Sequence, residues 1–142
     1  MNDQPFHGTV AARWTPACGW RGVLIIGASG AGKSDLALRL IGRGWRLVAD
    51  DYAHIFASDG VLYATAPITI AGRMEARGVG VVKACTVAQV RLALMIELVD
   101  GGVERLPEGG SRRFAGVDLP LLALNPQEAS VVEKVTAAIA RL

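Results

Sequence analysis

Residues 27–34 constrain this chain more than any other stretch, because they read Gly-Ala-Ser-Gly-Ala-Gly-Lys-Ser. In the pattern G-x-x-x-x-G-K-S, glycines let the backbone curl until several N–H groups point into one concavity that suits a polyphosphate. Lys33 brings a positive charge to the β- and γ-phosphates, and the Ser34 hydroxyl can ligate Mg²⁺. We therefore predict a phosphate-binding loop that consists of Gly27, Ala28, Ser29, Gly30, Ala31, Gly32, Lys33 and Ser34.

The segments on either side of the loop support this prediction. Residues 22–26 form an apolar run of strand length, and residues 34–43 have helical spacing that ends at Gly42 and Gly44. In the order strand, loop, helix, the N-terminal dipole of the helix adds to anion binding. We expect the buried side of this helix to carry Leu36, Leu38, Leu40 and Ile41.

A second strand, residues 45–49, ends in Asp50 and Asp51. The order strand, helix, strand predicts a right-handed crossover and a parallel pair of strands. Ligands of such sheets bind at the carboxyl ends of the strands, so the loop and the two aspartates should meet at one edge. Neighbouring strand residues face opposite sides. We therefore expect one carboxylate to face a Mg²⁺ shell and the other to act as a base on an acceptor hydroxyl.

The rest of the chain predicts further elements of an α/β domain. Asp59 and Gly60 are typical of a hairpin turn, and Ser130 with Glu133 predicts a capping box at the start of a terminal helix. The segments predicted are strands at 6–12, 52–56, 61–64, 90–99 and 117–122, a turn at 14–21, a mobile glycine-rich loop at 100–113 and a helix at 130–142.

Composition excludes several classes of protein. With 142 residues, of which 51% are hydrophobic and 20% charged, the chain fits one globular domain. The net charge of +2 is small and the basic residues are spread out, which argues against nucleic acid as a partner. Without a signal peptide or a run long enough to span a membrane, we expect no membrane partner and a cytoplasmic location. Cys18 and Cys85 lack metal-ligand spacing, and we expect reduced, buried thiols.

A few other polar residues are candidates for chemistry, with two interpretations each. His7 and His54 fit surface or structurally satisfied histidines as well as functional ones. Glu75 and Arg77 fit either a structural ion pair or a site reached by phosphates. The arginines of the glycine-rich loop fit either a solvated loop or a lid that meets the transferred phosphate. The lid is plausible chemically because the charge of arginine is permanent. These residues are Arg105, Arg112 and Arg113.

Taken together, these features resemble the catalytic domain of HPr kinase/phosphorylase. His7-Gly8 matches the "HG" segment of that family, and residues 22–34 match its strand and loop. Residues 43–51 read RGWRLVADD against RGHRLVADD, and residues 75–80 read EARGVG against EIRGLG. The resemblance extends from His7 to about Val82, and it implies a P-loop nucleotide-binding domain with a mixed central sheet, of the HPr kinase/PEP carboxykinase type.

The resemblance also implies an activity: an ATP- and Mg²⁺-dependent kinase that phosphorylates a serine of HPr, the phosphocarrier protein of a phosphotransferase system. Asp51 would accept the proton in phosphorylation and donate it in the reverse reaction, and His7 and Lys33 would be active-site residues. A loop arginine of the family corresponds to Arg105. The resemblance places Ser34 and Glu75 in the Mg²⁺ shell, and Asp50 is the aspartate that we expect to face this shell from the strand-end argument above.

Three departures from the family pattern leave other functions open, and one of them is a few extra residues around positions 14–19, between His7 and the loop. The usual N-terminal domain is absent, so we expect residues 1–142 to be a single domain, a short form like that of alphaproteobacteria. The segment tied to dephosphorylation is replaced near residues 124–127, which leaves the reverse reaction and homo-oligomer assembly open. The alternatives are a non-catalytic ATP-sensing module that regulates a partner and a P-loop kinase that acts on a small molecule.

Overall fold

The structure is a computed structural model, and it describes residues 4–101 and 110–142. Within these residues it contains eleven strands, two α-helices and a 3₁₀ turn at Ile68–Ile70. In chain order they are β1 (Phe6–His7), β2 (Thr9–Thr15), β3 (Gly19–Ile26), α1 (Lys33–Ile41), β4 (Arg46–Ala49), β5 (Tyr52–Ser58), β6 (Val61–Thr65), β7 (Arg73–Ala76), β8 (Gly80–Lys83), β9 (Gln89–Leu98), β10 (Gly110–Phe114), β11 (Val117–Leu124) and α2 (Val131–Ala140).

Nine of the described strands form one mixed sheet. Its main path runs β1-β5-β6-β9-β3-β2-β4, and β11 pairs with β9 and carries β10. Both β3 and β11 lie parallel to β9, whereas the other pairs of this sheet are antiparallel. The two remaining strands, β7 and β8, form a separate antiparallel hairpin. The prediction of an α/β domain with a mixed central sheet is confirmed.

Apolar residues fill both faces of the central strands. On β3, Val23 and Ile25 face one cluster and Leu24 faces the other, because successive side chains of a strand point to opposite sides. This double burial explains the uninterrupted apolar run before the loop. The first cluster packs the sheet against the helices and includes Leu36, Leu40, Trp45, Val131 and Val135. The second lies on the other face of the sheet and includes Val10, Ala53, Leu62, Met95 and Leu119.

The predicted parallel pair on either side of α1 is wrong in one respect. β4 pairs with β2, and β2 pairs with β3, so β2 lies between the two strands that we expected to be neighbours. The edge of β3 is occupied because β2 precedes it in a local hairpin, with only residues 16–18 between the strands. Since β3 and β4 are both antiparallel to β2, they still run in the same direction, and their carboxyl ends share one edge.

Two details of the helices also differ from the prediction. Leu38 is 38% exposed, because a step of 100° per residue puts it about 200° from both Leu36 and Leu40, which are buried. The capping box at α2 is wrong: Ser130 makes no side-chain cap hydrogen bond, and its φ of −93° and ψ of 11° are not the extended conformation of a capping residue. Glu133 instead lies 3.7 Å from Arg43 Nη2.

Part of the predicted glycine-rich loop is a strand. Residues 110–114 form β10, which pairs with β11 across a tight turn. The guanidinium of Arg112 lies 5.0 Å from the ring centre of Phe6, and that of Arg113 lies 3.7 Å from Asp118. These contacts hold both arginines on the sheet rather than in a lid. Arg105 lies outside the described residues.

The two thiols differ from the prediction as well. Cys18 and Cys85 are free and exposed, so the expectation of buried cysteines is wrong. Cys18 lies in the turn between β2 and β3, and Cys85 lies in the connection between β8 and β9. None of the helices within residues 4–101 and 110–142 is long and apolar enough to cross a membrane.

The aspartates lie where a long two-stranded ribbon is interrupted. β1 pairs with β5 and β2 pairs with β4, so the chain from Phe6 to Thr15 runs antiparallel to the chain from Arg46 to Ser58. The ladder breaks at Gly8 on one side and at Asp50 and Asp51 on the other. At the break the Gly8 N–H still donates to the Asp51 carbonyl, whereas the N–H of Asp51 takes a side-chain acceptor.

We expect Trp45→Ala to lower the free energy of unfolding by about 3–5 kcal/mol, because Trp45 is only 1% exposed and replacement leaves a large cavity. Trp14→Ala is the matched control. Trp14 is 58% exposed and contacts Trp20 edge to face, so its loss should cost about 1 kcal/mol. Urea denaturation of the two variants measures both values, and equal losses would contradict the assignment of the core.

Candidate active site

The loop after β3 ends at the start of α1, and the side chain of its lysine bonds back to the first residues of the loop. Gly32, the residue before α1, has a φ of 101°, a conformation that a side chain would strain. Lys33 is 7% exposed, and its Nζ donates to the carbonyls of Gly27 at 3.1 Å and Ala28 at 3.2 Å. The ammonium group is thus held against the concavity of the loop, where it can meet an anion.

Asp50 is a buried carboxylate that joins three segments of the chain. It is 7% exposed, and its Oδ1 accepts hydrogen bonds from Ser34 Oγ at 2.6 Å and from Thr9 Oγ1 at 3.3 Å. Its Oδ2 accepts the backbone N–H of Glu75 at 3.0 Å. Donors on both oxygens compensate the cost of burying a charge. The loop, strand β2 and the β7–β8 hairpin are therefore fixed relative to one another.

Asp51 faces the opposite way from its neighbour. Its side chain is 61% exposed, and its Oδ1 lies 3.3 Å from His7 Nε2, within reach of an N–H on that nitrogen. The imidazole of His7 rests 5.2 Å from the ring centre of Tyr52 at an angle of 34°. The two aspartates thus have different environments, one buried beside Ser34 and one open to an incoming group.

Gly8 brings His7 to this position. Its N–H donates to the carbonyl of Asp51 at 2.9 Å. A Cβ at Gly8 would stand 2.9 Å from Leu24 Cδ1 and 3.2 Å from the carbonyl oxygen of Ile25, closer than packed side chains come. The close approach of the two backbones therefore requires glycine after the histidine.

A cavity of about 290 Å³ unites the loop with the residues around Asp51. The cavity wall includes both Glu75 and Arg77, which form no ion pair with each other in the described part of the chain, so their position favours the phosphate site over the structural pair. His54 lies within β5 opposite Thr65 and does not line the cavity. The lining residues are Ser29, Gly30, Gly32, Lys33, Ser34, Asp35, Leu38, Asp51, Glu75 and Arg77.

The residues of the cavity fit a divalent cation that is shared with a phosphate. Residues 4–101 and 110–142 hold no cluster of three His, Cys, Asp or Glu side chains that could bind a metal by themselves. Mg²⁺ in nucleotide sites is usually held by one or two carboxylates, with waters and substrate phosphates as the other ligands. Ser34 and Asp50, whose side chains are in contact, and Glu75 in the cavity wall form such an incomplete set.

Sequence reasoning missed one residue of the site, Thr9. Its side chain is fully buried, and its hydroxyl bonds both to Asp50 and to the backbone N–H of Asp51. The signal was present: a polar residue directly after His7 and Gly8 is followed by three apolar residues, at positions 10–12. Threonine is common in strands, so its presence at the start of β2 did not suggest a role in the site.

The loop, the sheet and the carboxylates at one sheet edge define a P-loop protein. Comparison with known proteins identifies the family: the sequence profile described as "HPr Serine kinase C-terminal domain" matches residues 18–125. The chain therefore belongs to this family.

Two curated relatives show how far the similarity extends. The HPr kinase/phosphorylase of Clostridium novyi is 54% identical over 61 residues, which is 43% of this chain and 20% of that protein. The HPr kinase/phosphorylase of Streptococcus equi subsp. zooepidemicus is 37% identical over 116 residues, which is 72% of this chain and 37% of that protein. The chain thus matches well under half the length of these relatives.

A solved structure extends the likeness of fold to nearly the whole chain. The Hpr(Ser) kinase/phosphatase from Coxiella burnetii superposes with a TM-score of 0.81, covering 98% of this chain and 97% of that one. The sequences are 23% identical, so this match concerns the fold. The P-loop fold with a mixed sheet, predicted from sequence, is confirmed by this likeness.

We expect Lys33→Ala to weaken the binding of MgATP about 10- to 100-fold, since hydrogen bonds from a charged group are worth about 1.5–3 kcal/mol. Lys134→Ala is the control, because Lys134 lies on α2, bonds to Glu128 and does not line the cavity. Isothermal titration calorimetry measures both affinities. Equal affinity of the two variants would contradict the placement of nucleotide in this loop.

Proposed function

We propose that this chain is an ATP- and Mg²⁺-dependent serine kinase that acts on the phosphocarrier protein HPr in the cytoplasm and so regulates a phosphotransferase system. The observation that carries the proposal is the exposed Asp51 carboxylate, paired with His7 at 3.3 Å and standing in the wall of the phosphate-loop cavity. Family membership and the names of the two relatives, both HPr kinase/phosphorylases, support HPr as the acceptor.

The first task of the site is to bind the triphosphate and to absorb the charge that develops on it. Backbone N–H groups of residues 28–34 and the dipole of α1 meet the phosphate oxygens. Lys33 then exchanges its bonds to the loop carbonyls for stronger ones to the β- and γ-phosphates. When bound, Mg²⁺ would neutralise phosphate charge as a Lewis acid, and Ser34, Asp50 and Glu75 are the residues that would hold it.

The second task is to direct the acceptor hydroxyl. Asp51 is an exposed carboxylate whose Oδ1 is occupied by His7, which leaves Oδ2 to accept the proton of a serine hydroxyl. The bond from the serine oxygen to the γ-phosphorus forms while the bond to the β–γ bridging oxygen breaks. The proton passes to Asp51, and ADP leaves with the bridging oxygen. Positioning and electrostatics supply most of the rate enhancement in such transfers.

A transfer assay tests this function. The chain, Mg²⁺, ATP labelled at the γ-phosphate and the HPr protein of the same organism are combined, and the labelled residue is mapped. Label on a serine of HPr supports the kinase, and addition of inorganic phosphate then tests the reverse reaction. Label on a small hydroxyl compound but not on HPr would favour the small-molecule kinase, and bound ATP without any transfer would favour the sensing module.

We expect Asp51→Asn to keep MgATP binding and to lower the rate of transfer to HPr at least about 100-fold, since a positioned base contributes about 10²–10⁴. Asp59→Asn is the matched control: Asp59 is also an exposed aspartate with a positive φ, 51° against 68°, but it lies in the β5–β6 turn. Normal transfer by Asp51→Asn would refute its role as the base.

A further inference from the structure

Thr9 places one hydroxyl between the two aspartates of the site. The side chain is fully buried at the first position of β2, opposite Ile25 of β3. Its Oγ1 donates to Asp50 Oδ1 at 3.3 Å and accepts the backbone N–H of Asp51 at 3.2 Å. A single oxygen is therefore in contact with both the buried carboxylate and the backbone of the exposed one.

The backbone that this hydroxyl supports is strained. Asp51 has a φ of 68°, and the N–H of Tyr52 donates to the carbonyl of Asp50 at 2.8 Å, spanning Asp51. A bond between residues i and i+2 around a positive φ is the pattern of the classic γ-turn, which is rare and strained. Such a conformation persists only when its surroundings hold it from several sides. Thr9 and Gly8 do so, by bonding the N–H and the carbonyl of Asp51 respectively.

Packing alone does not explain a threonine at this position. The next two residues of β2, Val10 and Ala11, are apolar and fully buried, and valine would fill the volume of Thr9. Burying a hydroxyl costs free energy unless it is hydrogen-bonded. The hydroxyl is thus explained by its two bonds rather than by the space it fills.

We propose that Thr9 is a positioning residue for phosphotransfer, which sets the Asp51 carboxylate relative to the Asp50–Ser34 pair. The proposal rests on the proposed function, because it concerns the base of that reaction. Thr9 reaches the phosphate loop only through Asp50 in the described part of the chain, and Asp50 keeps its donors Ser34 and Glu75 when the Thr9 hydroxyl is removed. We therefore expect Thr9 to affect catalytic positioning more than nucleotide affinity. Without the hydroxyl, the Asp51 N–H loses its acceptor, the strained turn relaxes, and the carboxylate moves away from the line of transfer.

Two variants at one position test this inference. Thr9→Val keeps the volume and removes both hydrogen bonds, whereas Thr9→Ser keeps the hydroxyl. We expect Thr9→Val to lower kcat for HPr phosphorylation about 10- to 100-fold, the effect of misplacing a reacting group by about 1 Å, with KM for ATP changed less than about threefold. Thr9→Ser should recover kcat to within about threefold. Thr15→Val is the control, because Thr15 ends the same strand and its hydroxyl, among residues 4–101 and 110–142, bonds only to the Gly19 carbonyl.

A second readout does not depend on the acceptor. Hydrogen exchange of the Asp51 amide, followed by NMR, should be at least about tenfold faster in Thr9→Val than in the wild type and should return in Thr9→Ser, while the amides of β3 keep their rates. Unchanged exchange at Asp51, or a Thr9→Val enzyme with wild-type kcat, would overturn the proposal. If the wild type fails to label HPr, the proposed function falls, and the exchange rates alone then decide whether Thr9 holds the turn.

Discussion

The buried carboxylate of Asp50 is the interaction on which the site depends. Its two oxygens bring together Ser34 from the phosphate loop, Thr9 from β2 and the backbone of Glu75 from a hairpin outside the main sheet. A charge in such a place is tolerated only with its donors in position. Folding therefore brings the three segments to one point, and two of them, the loop and the hairpin, contribute Ser34 and Glu75 to the cavity wall.

The sheet explains why this point lies where it does. A long ribbon bends at Gly8 and at the two aspartates, and the ladder that would occupy their backbone groups is interrupted. On the neighbouring strand β3 the same edge carries the phosphate loop. Asp50 and Asp51 follow one another directly in sequence, but their side chains face opposite ways. Asp51 is exposed and pairs with a histidine, whereas Asp50 is buried. Under the proposed function, these opposite orientations would let one short segment serve both the nucleotide and the acceptor.

Local sequence patterns predicted the parts of the fold that have local causes. The glycine pattern with Lys33, the apolar run of β3 and the turn at Asp59 each depend on neighbours in the chain, and the structure contains all three elements. What escaped prediction depends on distant partners: the insertion of β2 beside β3, the exposure of Leu38, and the hydroxyl of Thr9, whose partners are 41 and 42 residues away. The hydrophobic periodicity of a strand does not show which of its two edges already pairs with another strand.

The division between exposed and buried members of the site has a consequence for its tolerance of mutation. His7 and Asp51 belong to no core cluster, and their side chains are 45% and 61% exposed, so a new side chain there disturbs less packing than one in the interior. Bulky or β-branched residues at Asp51 are the exception, because its φ of 68° disfavours them. Thr9 and Asp50 are locked into the interior, where a change alters the framework itself. Substitutions in the open pair would therefore change the chemistry of the site and leave the architecture in place, whereas substitutions in the inner pair would change the architecture.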